Sequence, residues 1–260
     1  MNRWTELSIE YASQRNYLDD LYKVYPIIPE GIRDINKDSW DAVEKAFQNR
    51  NNTELIKRLL DLELFPIKDS YVAYLKRDPS SIARNPATVN RLCGRLYDIG
   101  INALFDKCSE PKETNRQMGQ KFKEWLSKKT LGVDLLPYDE FLESKGNALL
   151  DASDNGSKNF AKEHLSYTRE KGLDFVARFN GRYVIGEAKF LTDFGSHQDA
   201  QFADGISTLK AKRVKAIKIA IMDGVLYIQG DNKMHRFLKK NKEGYNIMSA
   251  LVLREFLYQL

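Results

Sequence analysis

Through the first hundred residues apolar positions recur at helical spacing. Asp38-Ser39 opens an amphipathic run that continues to Phe47. Asn52-Thr53 opens another, whose apolar residues include Leu55, Ile56, Leu59, Leu60 and Leu64 before Pro66 ends it. A third run covers residues 71–75. Asp78-Pro79 and Asn85-Pro86 each set a capping residue before a proline, a favoured helix start, and the second of these runs to Ile99 and stops at Gly100. Residues 106–115 lack periodicity and contain Pro111, which predicts a boundary between a helical part, 1–110, and a second part, 111–260. Met118, Phe122, Trp125 and Leu126 then form one buried helical face over about 115–129.

Beyond that helix the period falls to two. Residues 175–179 and 183–190 are short β-rich runs, and residues 214–222 and 225–229 repeat the texture around Asp223-Gly224. A helix is expected over 197–212, and the last residues read as helical. No internal repeat or low-complexity tract interrupts the pattern. The expected fold is α/β: a central mixed β-sheet flanked by helices, preceded by a helical N-terminal part.

Composition narrows the class. The chain has 260 residues, 42% of them hydrophobic and 30% charged, which is enough to bury a core. A net charge of +5 is mildly basic and compatible with a polyanionic partner. Two cysteines, Cys93 and Cys108, are too few for a disulfide framework and fit free thiols in a reducing compartment. The N-terminus carries no apolar h-region and no stretch approaches the length of a membrane span, so the expected location is the cytoplasm, with no membrane partner.

The informative stretch runs from Gly172 to Lys189. Asn180-Gly181 between two β-rich runs is the strongest short hairpin signal. A two-residue turn pairs 179 with 182, and therefore sets Asp174 opposite Glu187, on one sheet face with Cβ atoms about 4.5–5.5 Å apart. Lys189, two residues on, points to that face as well. Two carboxylates about 5 Å apart repel by roughly 3 kcal/mol at an effective dielectric near 20. Lys189 offsets part of this, and a divalent cation such as Mg²⁺, which favours one or two carboxylates plus waters and phosphate oxygens, offsets more. Metal, lysine and water together meet the requirements of phosphodiester hydrolysis. The competing reading is an exposed strand carrying an unrelated Glu and Lys.

Asp174, twelve intervening residues and Glu187-Ala188-Lys189 resemble the signature of the PD-(D/E)XK nuclease superfamily, with Leu173 where the consensus name has Pro. The resemblance covers about residues 115–230. It implies a restriction-endonuclease-like core in which Asp174 and Glu187 bind the metal and Lys189 is the catalytic lysine. Size and the appended helices look most like a type II restriction endonuclease, which implies a Mg²⁺-dependent homodimer cutting double-stranded DNA at a short site. In this family the helix before the motif can lend a side chain to the metal. That makes Glu124 a candidate ligand, with Gln117, Gln120 and Glu163 as further positions, all of which also read as a solvated surface.

After Lys189, a polar cluster opens the next helix: Thr192, Asp193, Ser196, His197, Gln198 and Gln201 are candidates for base-edge or phosphate contacts, or, for Asp193 and Ser196, simply for capping. Lys210, Lys212 and Arg213 begin a basic run, continued by Lys215 and Lys218, that suits a phosphate backbone. Arg84, Asn90, Arg91 and Arg95 lie on two short helices that read either as a helix-turn-helix or as ordinary packing elements. Walker, G-x-G-x-x-G, G-x-S-x-G and H-E-x-x-H motifs are absent, and His164, His197 and His235 lack zinc-ligand spacing. The alternatives to a restriction enzyme are a structure-specific repair or junction nuclease and a DNA-binding protein with a degenerate nuclease core.

Overall fold

A computed structural model describes residues 1–26, 34–110, 114–241 and 244–260, with 114–116 described in backbone only. Its helices are α1 (Arg3–Ser13), α2 (Tyr17–Val24), α3 (Lys37–Gln48), α4 (Asn52–Asp61), α5 (Val72–Arg77), α6 (Ser81–Arg84), α7 (Pro86–Ile99), α8 (Ile101–Cys108), α9 (Thr114–Ser127), α10 (Tyr138–Glu143), α11 (Asp154–Leu165), α12 (Ser196–Leu209), α13 (Lys233–Lys239) and α14 (Ala250–Tyr258). The strands are β1 (Leu135–Leu136), β2 (Ala148–Leu150), β3 (Phe175–Phe179), β4 (Arg182–Leu191), β5 (Ile217–Gly224) and β6 (Asn246–Met248). No helix among the described residues is long and apolar enough to cross a membrane.

Contacts divide the chain into two compact units, Ile28–Lys112 and Met1–Ile27 with Glu113–Leu260. The first is a helical unit whose core gathers Trp40, Val43, Leu55, Ile56, Leu59, Leu92, Leu96 and Leu104. Asparagine side chains start α3 and α4: Asn36 accepts from the amide of Ser39 and Asn51 from that of Glu54. α3 thus begins ahead of the expected Asp38-Ser39 start, and Leu64 falls beyond α4. Pro86 opens α7 and Gly100 ends it at φ 84°. Cys93 and Cys108 are free and buried in this unit.

The sequence places residues 1–110 in one part, whereas residues 1–26 pack with the sheet. The reason is apolar burial: Tyr17, Leu21, Val24 and Tyr25 all enter the sheet's core, leaving them no role in the helical unit. The expected boundary residue Pro111 lies outside the described residues.

The sheet has six strands among the described residues, in the order β1-β2-β3-β4-β5-β6. β2, β3 and β4 run antiparallel to one another in turn, while β1 pairs with β2, β4 with β5, and β5 with β6 in parallel. It is therefore mixed, with helices against it: an α/β restriction-endonuclease-like arrangement. Alternation divides the strand side chains between two cores. Phe175, Ala177, Val184 and Ala188 join the larger and Val176 and Ile185 the smaller.

Residues 225–229 do not return as a hairpin strand. Val225–Tyr227 forms a 3₁₀ turn instead. β5 already has β4 on one side and β6 on the other, so its edges are taken before a hairpin partner can pair. The Asp223 carboxylate at its end is fully buried, accepting hydrogen bonds from Tyr25, Ser249 and the Ala250 amide.

Candidate active site

The β3–β4 turn sets the geometry. Asn180 and Gly181 both take positive φ, 48° and 76°, as a type I′ turn requires. The ladder then pairs Phe179 with Arg182 and runs in register to Phe175 opposite Gly186. One step further, the Asp174 amide donates to the Gly186 carbonyl at 3.1 Å, and the Ala188 amide donates to Asp174 Oδ2 at 2.9 Å. These bonds hold the Asp174 carboxylate against β4. Glu187 and Lys189 share one side of β4 by the two-residue period. Lys189 Nζ sits 3.2 Å from Glu187 Oε2 and 3.5 Å from Asp174 Oδ2.

Glu187 is only 2% exposed. Burial first, and repulsion from Asp174 second, push its carboxyl up to about 7, against the pull of Lys189 and Lys171. Burial acts to lower the Lys189 ammonium, but Asp174 and Glu187 together outweigh it and hold the group above its ordinary value. The lysine therefore stays charged at neutral pH. Its role is that of a cation and hydrogen-bond donor.

Three further side chains complete the cluster, none of them picked out by the sequence. Lys171, ahead of β3, sits 3.1 Å from Glu187 Oε2 and 2.5 Å from Asp204 Oδ2. Asp204 comes from α12, the helix packed on β4 and β5. Thr208, one turn later, donates to Glu187 Oε1 at 3.4 Å. Three carboxylates thus face two ammonium groups. Lys171 lies in a loop, where no period relates it to the strands. Asp204 carries a faint signal, as an acid within a weakly polar stretch of helix.

The other candidates fall outside this group. Glu124 is bound by Gln120 (3.0 Å) and Lys121 (3.2 Å) on α9, and this pairing holds its carboxyl below the ordinary range. Gln117 is buried on the same helix. Glu163 accepts from Tyr138 at 2.5 Å on α11. Gln198 is buried and turned back on Thr192, accepting from its amide and donating to its hydroxyl, both at 3.2 Å. His197 and Gln201 contact each other at 3.0 Å. Neither Asp193 nor Ser196 caps α12: Gly195 is the cap residue and lacks a side-chain bond, while Asp193 accepts from Phe194 at 2.7 Å.

Parallel pairing of Val184 with Ile217 and of Glu187 with Ala220 fixes where the basic run lies. It precedes β5, whose first residue lies about 10 Å along the strand from the carboxylates at ~3.3 Å per residue. Residues 192–201 follow β4 at the opposite end. Lys210, Lys212 and Arg213 are exposed and line a shallow depression with Tyr245. Lys218 is spent on the end of α12, donating to the Leu209 (2.7 Å) and Ala211 (2.6 Å) carbonyls. In the helical unit, Arg91 and Arg95 lie 2.7 and 3.9 Å from Asp69, Arg84 lies 2.6 Å from Asp78, and Asn90 accepts from Asn52 at 2.8 Å.

Among the described residues no group of three or more His, Cys, Asp or Glu side chains is arranged to hold a metal ion. Asp174 and Glu187 nonetheless offer the hard oxygen donors that Mg²⁺ accepts in ones and twos. Burial first, and repulsion between the two carboxylates second, disfavour the charged form of Glu187, a cost that a bound cation would offset. Residues 2–260 match a family model described as Tsp45I type II restriction enzyme. No curated protein and no solved structure matches the chain.

Proposed function

Because the chain belongs to the Tsp45I type II restriction enzyme family, and is therefore a site-specific deoxyribonuclease, we propose that Asp174, Glu187 and Lys189 form its hydrolytic centre. The observation that carries this reading is one charged ammonium within 3.5 Å of two opposed carboxylates at the end of a buried hairpin. Asp174 and Glu187 would hold Mg²⁺. A divalent cation there supplies Lewis-acid polarisation of the scissile phosphate and a lowered pKa for the attacking water.

The chain's own groups do the rest. Lys189 remains protonated, so it orients the attacking water by donation and counters the negative charge that builds on the phosphate. The Ala188 amide fixes the Asp174 carboxylate and Thr208 steadies Glu187 Oε1. Lys210, Lys212 and Arg213 contact the backbone of double-stranded DNA, and exposed residues of the 192–201 segment reach towards base edges. The helical unit contributes sequence reading or dimerisation. Cutting both strands of a symmetric site calls for two identical centres, which a homodimer supplies.

The test is plasmid cleavage. The wild type with Mg²⁺ should give discrete fragments and EDTA should stop it. Lys189→Ala should lower the rate by about 10²–10⁴ while still binding DNA. Fragments from Lys189→Ala at the wild-type rate would remove the assignment. Sequencing fragment ends gives the recognition site.

A further inference from the structure

Glu187 Oε2 carries two ammonium groups at once, Lys171 at 3.1 Å and Lys189 at 3.2 Å, while among the described residues Oε1 has only the long bond from Thr208. A Mg²⁺ ligand oxygen sits about 2.0–2.1 Å from the ion. An oxygen that already holds two cations this closely cannot take a third without one of them leaving, because like charges would crowd around a single atom.

The two lysines differ in their freedom to leave. Lys189 is part of β4, two residues from Glu187, and the ladder fixes its stem. Lys171 stands in the loop before β3 and has a second anchor, Asp204, at 2.5 Å from Oδ2 and 3.3 Å from the backbone carbonyl. The Asp204 side chain is 45% exposed, so this anchor lies on the open side of the cluster. Lys189 is only 4.0 Å from the same oxygen and is not tied to it in this way.

Resting on the metal reading of Asp174 and Glu187, we propose that Lys171 is a positioning residue for cation entry. Its ammonium, parked on Asp204, holds Glu187 in the metal-free enzyme and releases it when a divalent ion binds. Asp204 acts through Lys171, by giving the displaced ammonium a place to stay.

Mn²⁺ binding to the full-length protein without DNA, followed by electron paramagnetic resonance, tests this with no need for turnover. Lys171→Met should bind Mn²⁺ about tenfold more tightly and Asp204→Asn about tenfold more weakly than wild type, opposite signs that a loss of fold does not produce. The double variant should resemble Lys171→Met, because Asp204 matters only while Lys171 is present. A double variant back at wild-type affinity would mean independent field effects, and a Lys171→Met protein no tighter than wild type would mean no competition; either result overturns the proposal. Glu187→Gln separates the two readings. If it binds Mn²⁺ as wild type does, the metal reading itself fails; if it does not bind, the fate of Lys171 is judged alone. Circular dichroism melts of each variant confirm folding.

Discussion

Asp174 and Glu187 share one ammonium: Lys189 Nζ lies 3.5 Å from the first and 3.2 Å from the second, and the Asp174 carboxylate is fixed to the Ala188 amide between them. The shared cation does not neutralise the pair. Burial and the neighbouring Asp174 still raise Glu187 to about 7 from an ordinary value of 4.5. An acid whose folded pKa is raised adds stability below its unfolded pKa, and that stability is lost as pH climbs through the folded value. Glu187→Gln should therefore match the wild type near pH 4 and exceed it by about 3 kcal/mol at pH 8. Urea unfolding of both proteins at the two pH values checks this, and a constant difference would contradict it. At sub-saturating Mg²⁺, cleavage by the wild type should rise as pH climbs towards about 7, since only the ionised carboxylate of the metal-free site accepts a cation.

A second prediction concerns the N-terminal helices. Tyr25 donates its hydroxyl to the buried Asp223 carboxylate at 2.8 Å. Burial raises Asp223 to about 6, opposed by bonds from Ser249, Tyr25 and the Ala250 amide, so it is largely ionised at pH 7.5. Tyr25→Phe should cost about 2 kcal/mol at that pH, as expected for one hydrogen bond to a charged group. Denaturant unfolding would show it, with cleavage intact below the transition.

Gly224 supplies a third. Its φ is 97°, and a Cβ there would lie 2.0 Å from the Leu191 carbonyl oxygen at the end of the β4–β5 ladder. Neither backbone can yield without breaking that pairing. Gly224→Ala should destabilise by at least about 3 kcal/mol, from a left-handed alanine and a backbone clash together. A melting temperature within a degree of wild type would refute the argument.

The basic run before β5 makes a fourth. If Lys212 and Arg213 each neutralise one phosphate, the double alanine variant should flatten the slope of log K against log salt by about 1.8, at roughly 0.9 per contact. Fluorescence anisotropy on duplex DNA without metal measures the slope, and an unchanged slope would remove both residues from the backbone contact.

What the sequence determined is local. Asn180-Gly181 can adopt two consecutive positive φ values, a two-residue turn sets the pairing, and pairing with alternation brings Asp174, Glu187 and Lys189 to one side. Caps, prolines and apolar spacing likewise announced α4, α7 and α9, because each depends on neighbours within a turn or two. β1, β2 and β6, only two or three residues long, carry no period and exist through their ladder partners. The fate of residues 225–229 rested on β6, which arrives from far along the chain to close the β5 edge. Lys171 and Asp204 meet at Glu187 only because a loop and α12 are folded over the same strand. Side chains on separate elements have no spacing rule between them, so their company is decided by the packing of those elements against the sheet.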